Sequence, residues 1–216
     1  MTSDLLIHDV VPARQPGPRP AWCLVLHGLG DSKEGWKQVA PMFGLDHIGF
    51  IFVQAPQPYH DGWSWFDIDL GKGADVAGVR RSRTRLDRLI GELLAKLAIG
   101  SDRLALMGFS QGCLMVLDQA WHGSRIFAGV VGISGLVADT EGFPGTFGPA
   151  ARQQRILWTH GLYDNLIPLA WTRGSMTSLR KLGIAVDWRE YPKDHGLDPE
   201  HELGDIARFL RTCLPR

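Results

Sequence analysis

The sequence predicts a mostly parallel, doubly wound α/β sheet with helices on both faces, formed by residues 1–216 as one domain. Three observations carry that prediction. Strand-length apolar runs such as Trp22-Cys23-Leu24-Val25-Leu26 and Leu104-Ala105-Leu106-Met107 are continuous rather than alternating, as strands covered on both faces must be. Segments with apolar residues at helical spacing stand between these runs. At 216 residues the chain is long enough to bury a full central sheet between two helical layers.

Read in order, Leu5 to Val11 is a short edge strand, and the proline- and arginine-bearing stretch Pro12 to Pro20 a rigid connector. Trp22 to Leu26, ending at His27-Gly28, is the first buried strand. A helix over about Lys33 to Phe43 leads to a strand at Ile48 to Val53. Ala55 to Gly71 is too rich in proline and glycine for regular structure and reads as a long aromatic loop. From about Ala74 to Ala98, Val79, Leu86, Leu89, Ile90, Leu93, Leu94 and Leu97 recur at helical spacing opposite a charged face. Strand 103–108, helix 111–121, strands 126–133 and 155–160, helix 168–182, strand 184–191 and helix 199–213 complete the alternation.

Composition narrows the function classes. With 44% hydrophobic and 21% charged residues the chain reads as an ordinary soluble globule. Its formal net charge of zero gives nucleic acid or an anionic membrane no bulk attraction. No apolar span approaches the ~20 residues of a transmembrane helix, and Met1-Thr2-Ser3-Asp4 lacks the basic start of a signal peptide. Cys23, Cys113 and Cys213 are scattered, which argues against a disulfide framework or zinc ribbon and fits a reducing cytoplasm. Cys23 and Cys113 read as buried thiols, and Cys213 as exposed near the C-terminus. His195 and His201 do not have a recurrent metal-ligand spacing, and Gly28-Leu29-Gly30 lacks the third glycine of a dinucleotide loop, so neither metal nor cofactor is expected.

The pentapeptide Gly108-Phe109-Ser110-Gln111-Gly112 lies between a strand and a helix, the setting of a nucleophile elbow. The pattern alone is weak: with 26 glycines it arises by chance in about one chain in seven of this composition. A serine hydroxyl also needs a base to take its proton and an acid to orient that base. Asp164 follows strand 155–160 and His195 follows strand 184–191, both in loops beyond strand carboxyl ends, where sites form in open α/β sheets. Each has a plainer reading: Asp164 as a cap for the helix after Pro168, and His195 as a solvated loop histidine. Asp194 and Asp198 are alternative acids, but they follow the wrong strand. For the oxyanion, one backbone donor is expected at Gln111, at the start of its helix, and another at Leu29, in the loop after an early strand. His27 and His160 read as structural, bonding loop backbone.

Five segments occur in one order from about residue 22 to the C-terminus: Leu26-His27-Gly28-Leu29-Gly30-Asp31, Ala55-Pro56 leading to Ser64-Trp65-Phe66-Asp67, the elbow, His160-Gly161 with Asp164 and Ile167-Pro168, and a final loop histidine, His195. In this order the chain resembles the phospholipase/carboxylesterase family of small serine hydrolases, which includes acyl-protein thioesterases and bacterial carboxylesterases. The resemblance implies a single α/β-hydrolase domain, no cofactor, and hydrolysis of a small-molecule carboxylic ester or thioester. It further implies Ser110 as nucleophile, His195 as base, Asp164 as orienter, and Leu29 and Gln111 as oxyanion donors. The chain departs from the family pattern at three places. Cys113 stands where glycine or alanine is usual, Tyr191-Pro192-Lys193-Asp194-His195-Gly196 is more charged, and the segment from Gly142 to Pro149 is short and rich in glycine and proline.

In the aromatic loop, Trp63 and Trp65 are candidates for the wall of an acyl pocket, although Trp65 and Phe66 equally suit pinning the loop to the core. Arg80-Arg81-Ser82-Arg83-Thr84-Arg85 reads as a solvated helix face with ion pairs to Asp75 or Asp87. Two rivals remain at the level of sequence. One is a catalytically silent binding protein on the same scaffold. The other is a dienelactone-hydrolase-like or peptidase activity, the former normally using cysteine where this chain has Ser110. Exposed apolar loops leave a homodimer open. A histidine base must be neutral, so the rate is expected to fall on acidification; a profile flat from about pH 5 to 9 would contradict the reading.

Overall fold

Strands β1 (His8–Val11), β2 (Ala21–Leu26) and β3 (Ile48–Val53) are followed by two short pairs, β4 (Gln57–Tyr59) with β5 (Gly62–Ser64) and β6 (Ile68–Asp69) with β7 (Gly73–Ala74). Next come β8 (Leu104–Phe109), β9 (Gly129–Ile133), β10 (Ile156–Gly161) and β11 (Asp187–Tyr191). The structure is a computed structural model and describes residues 5–69, 73–138 and 147–216. Among the described residues, seven strands form one sheet in the order β1-β3-β2-β8-β9-β10-β11. Only β1 runs antiparallel, pairing with β3 at the edge; the other neighbours are parallel. The expected α/β class, mostly parallel and covered on both faces, is the observed one.

Helices α1 (Lys33–Val39) and α5 (Glu202–Cys213) cover one face, where Trp36, Leu203, Ile206 and Leu210 pack on Val25, Phe52, Met107 and Val131. Helices α2 (Val76–Leu97), α3 (Gln111–His122) and α4 (Leu169–Lys181) cover the other. In α2 the Asp75 carboxylate caps the first turn by accepting Ala77 N–H at 3.0 Å, and Val79, Leu86, Leu89, Ile90 and Leu93 are buried. Each such side chain stabilises the fold by about 1.5–3 kcal/mol through the area it removes from water.

Three expectations need correction. Helix α1 is shorter than read, because Pro41 has no N–H to continue it and the chain tightens into a 3₁₀ turn over Ala40–Phe43. The aromatic loop contains regular structure after all. Strands β4 and β5 form a hairpin sewn to the loop after β2, with Gly30 N–H donating to Trp63 O (3.0 Å) and Trp63 N–H to Asp31 O (3.1 Å). Gly62 makes that approach feasible, since a Cβ there would lie 2.1 Å from Gly30 O. Cys213 is buried rather than exposed, its sulfur filling the space that a side chain at Gly129 would occupy. Residues 139–146, which take in most of the glycine- and proline-rich segment, and 70–72, at the end of the aromatic loop, lie outside the described residues.

The consequence for function is positional. Parallel pairing points the carboxyl ends of β2, β8, β10 and β11 to one edge of the sheet, so the loops carrying Leu29, Ser110, Asp164 and His195 meet there.

Candidate active site

Ser110 is the hinge between β8 and α3, with φ 54° and ψ −114°. A non-glycine residue with positive φ carries backbone strain, and it persists here because its neighbours leave no alternative. A Cβ on Gly108 would sit 2.1 Å from Gly112 O, and one on Gly112 would sit 2.2 Å from Leu26 O. Ser110 N–H donates to Ile133 O at the end of β9 (2.9 Å), and Ser110 O accepts Leu114 N–H (3.2 Å). The turn therefore lifts the hydroxyl clear of the sheet and holds it there.

Ser110 Oγ lies 2.9 Å from His195 Nε2, and His195 Nδ1 lies 2.8 Å from Asp164 Oδ2. A carboxylate facing Nδ1 keeps the ring proton on that nitrogen, which leaves the Nε2 lone pair to accept from the serine hydroxyl. The other oxygen of Asp164 accepts Leu166 N–H (3.0 Å) and Ile167 N–H (2.8 Å). The two readings of Asp164 are thus compatible: one oxygen caps the turn before α4 and the other addresses His195. Asp194 is exposed, and Asp198 caps the turn into α5 by accepting Glu200 N–H at 2.9 Å.

His160, fully buried, donates from Nε2 to Ile167 O (2.9 Å) and stacks on Trp188. His27 donates from Nδ1 to Gly28 O (2.7 Å) and accepts Ala55 N–H at Nε2 (3.1 Å). Burial lowers the pKa of both rings and keeps them neutral. Both brace the backbone of site loops.

The backbone N–H groups of Leu29 and Gln111 form no hydrogen bond among the described residues, and both residues line a cavity of about 550 Å³. That cavity holds Ser110 and His195, with Ile68, Leu136, Leu166 and Ile167 giving it an apolar wall and Asp31 and Asn165 a polar rim. Trp63 and Trp65 lie elsewhere. Trp65 is fully buried, its indole N–H donating to His27 O (2.8 Å), and Trp63 borders a separate cleft with Leu6 and Gln54. What the sequence reading overlooked is the side chain of Gln111. Its Oε1 accepts Trp65 N–H (3.0 Å) and its Nε2 donates to Phe66 O (2.9 Å), so the residue after Ser110 also fastens the aromatic segment. In the basic run, Arg81 pairs with Asp75 at 3.2 Å on a solvated face as expected, whereas Arg83 pairs at 3.2 Å with the largely buried Asp118 on α3 and Ser82 is buried against Trp65 O, so the run is only in part a solvated face.

The model of the phospholipase/carboxylesterase family matches residues 9–214, nearly the whole chain. The chain belongs to this family. It is a hydrolase of the esterase class. Acyl-protein thioesterase 1 of Schizosaccharomyces pombe is 36% identical over 207 residues, covering 90% of this chain and 91% of its own. Among solved structures, esterase PE8 superposes with a TM-score of 0.86 at 24% identity, covering 97% of this chain and all of its own, a likeness of fold. Acyl-protein thioesterase 2 of Zea mays superposes at 0.79 with 25% identity, covering 96% of this chain and 99% of its own.

Two departures from the family pattern have a physical account here. Cys113 fits at a helix-packing position because Gly132 and Gly135 face it; a Cβ on Gly135 would meet its Sγ at 2.4 Å. Burial pushes the Cys113 thiol far up in pKa, so it does not compete as a nucleophile. In the charged loop, Lys193 turns inward and meets the buried Glu202 at 2.6 Å.

Proposed function

We propose that this hydrolase cleaves carboxylic esters or thioesters in two steps through an acyl-enzyme on Ser110. The observation that carries the reading is the chain of contacts from Ser110 Oγ through His195 to Asp164, at 2.9 and 2.8 Å, opening onto an apolar cavity. His195 Nε2 takes the serine proton as Oγ attacks the carbonyl carbon. The N–H groups of Leu29 and Gln111 receive the oxyanion, aided at Gln111 by the N-terminus of α3. The alcohol or thiol leaves with the proton from His195. Water then repeats the sequence on the acyl-enzyme and returns Ser110. Asp164 holds the ring in the required tautomer and stabilises the imidazolium that forms.

The apolar wall of Leu29, Ile68, Leu136, Leu166 and Ile167 suits the acyl group. Thioesters enter the proposal through the likeness to acyl-protein thioesterase 1, and phospholipids through the family's own description. Three buried, unpaired cysteines suit a cytoplasmic enzyme. The test is covalent labelling of Ser110 by a fluorophosphonate, with loss of label in Ser110→Ala. Absence of label on well-folded protein would favour a silent binding protein instead. A rate series on p-nitrophenyl esters of rising acyl length, beside a palmitoyl thioester, then assigns the acyl group. Rates that climb with chain length are expected from the apolar wall.

A further inference from the structure

Lys193 ties several parts of the site together from inside the molecule. Its ammonium donates to Glu202 Oε1 (2.6 Å) and Oε2 (2.7 Å), to Gly196 O (2.8 Å) and to Ser134 Oγ (3.0 Å). Each partner belongs to a different segment. Gly196 directly follows His195. Ser134 directly follows Ile133, whose carbonyl receives the N–H of Ser110. Glu202 opens α5, and its Oε2 also accepts Asp198 N–H at 2.9 Å. The main chain adds a further tie, because Lys193 O accepts Tyr163 N–H (3.0 Å) in the Asp164 loop. Gly161 allows this approach, since a Cβ there would lie 2.5 Å from Lys193 O.

The pair is deeply buried, with Lys193 7% exposed and Glu202 fully enclosed, and neither residue lines the cavity. Buried ion pairs are often no more stabilising than well-packed apolar residues of the same volume. What an ammonium adds is connection, because its three N–H donors reach acceptors on separate segments at once. Burial draws the pKa of Lys193 down, and the carboxylate of Glu202 opposes that pull.

Resting on the reading of Ser110 as nucleophile, we propose that Lys193 and Glu202 are positioning residues that set the Ser110–His195 distance through Ser134 on one side and Gly196 on the other. The ion pair adds to the loop's own main-chain ties, Lys193 N–H to Tyr191 O (2.8 Å) and Tyr163 N–H to Lys193 O (3.0 Å), a link to the Ser110 side through Ser134. A shift of about 1 Å between nucleophile and base is enough to cost about 100-fold in rate.

The deciding variant is the double replacement Lys193→Met with Glu202→Met, which removes both charges and strands neither. Its melting temperature is expected within a few degrees of the parent. Its kcat on p-nitrophenyl butyrate is expected to fall about 10- to 100-fold, with KM within about twofold. A parental kcat, or a loss carried by KM alone, would overturn the proposal. Ser134→Ala keeps the ion pair and removes the acceptor for Lys193 together with the long hydroxyl contact to Gly196 O (3.5 Å), and is expected to lower kcat about three- to tenfold. If the double variant does not fold, an unchanged kcat in Ser134→Ala is sufficient to reject the proposal. Fluorophosphonate labelling separates the two levels: an unlabelled parent removes the proposed function, whereas a labelled parent with undiminished variants removes the positioning role alone.

Discussion

At the elbow, Gly108 and Gly112 leave so little space that a single methyl group would collide with a carbonyl oxygen, and Ser110 is forced to φ 54°. Beside it, the loop from Tyr191 to Gly196 excludes no such volume; main-chain bonds to Tyr191 O and from Tyr163 N–H hold Lys193, and its ammonium reaches into the core to bond Gly196 and Glu202. One of the two regions is held by exclusion of volume over five consecutive residues. The other is held by attraction between residues nine apart in sequence and a serine 59 residues upstream. Steric positioning tolerates nothing larger, whereas electrostatic positioning tolerates a change of shape but not the loss of one partner.

This contrast can be broken in order of expected effect. Gly112→Ala should cost more than about 4 kcal/mol, because the new Cβ meets main-chain oxygen that has nowhere to move. Urea unfolding close to parental would refute the steric account of the elbow. Lys193→Met alone should cost about 3–5 kcal/mol by stranding Glu202, and adding Glu202→Met should recover most of it. A single variant as stable as the double would mean that the charge is not buried in the way described.

Acid should loosen both regions, since His27 braces the loop beside the elbow and His160 the loop of Asp164. Burial lowers both pKa values in the fold, so the unfolded chain binds these protons first. The stability they contribute is complete above pH 6.5, their ordinary value, and falls as pH drops below it. The slope is at most about 1.4 kcal/mol per pH unit for each ring. Melting temperatures between pH 7.5 and 5 would check the sign, and His160→Asn against His27→Asn would show which region carries more of it. The smallest effect on stability is expected from Ser110→Gly. It should abolish turnover yet stabilise the fold by about 1 kcal/mol through relief of the positive φ. A less stable variant would show that the serine is not strained.

The same contrast explains what could be read in advance. The elbow is local, so Gly108, Ser110 and Gly112 announce it within five letters, and unbroken apolar runs such as Trp22 to Leu26 announce buried strands. Asp164 and His195 were legible through their order after strands, which is topology expressed in sequence. The role of Lys193 was not legible, because a lysine beside Asp194 and Pro192 looks like surface and its partner lies on the next helix. The β4–β5 hairpin was hidden by Pro58 and Gly62, residues that usually mark irregular chain and here serve an edge position and a close approach. Trp65 shows the limit of composition. An aromatic near the site can be wall or anchor, and only its hydrogen bond to His27 O decides for anchor.

The three thiols have a practical consequence. Cys23 and Cys113 are fully enclosed and Cys213 is 7% exposed, with burial raising the pKa of each. An alkylating reagent therefore meets almost no thiolate on the folded molecule, and its uptake becomes a clock for opening of the core. A single cysteine placed on an exposed helix face would be the one handle for a fluorophore or spin label, with no native residue to remove first.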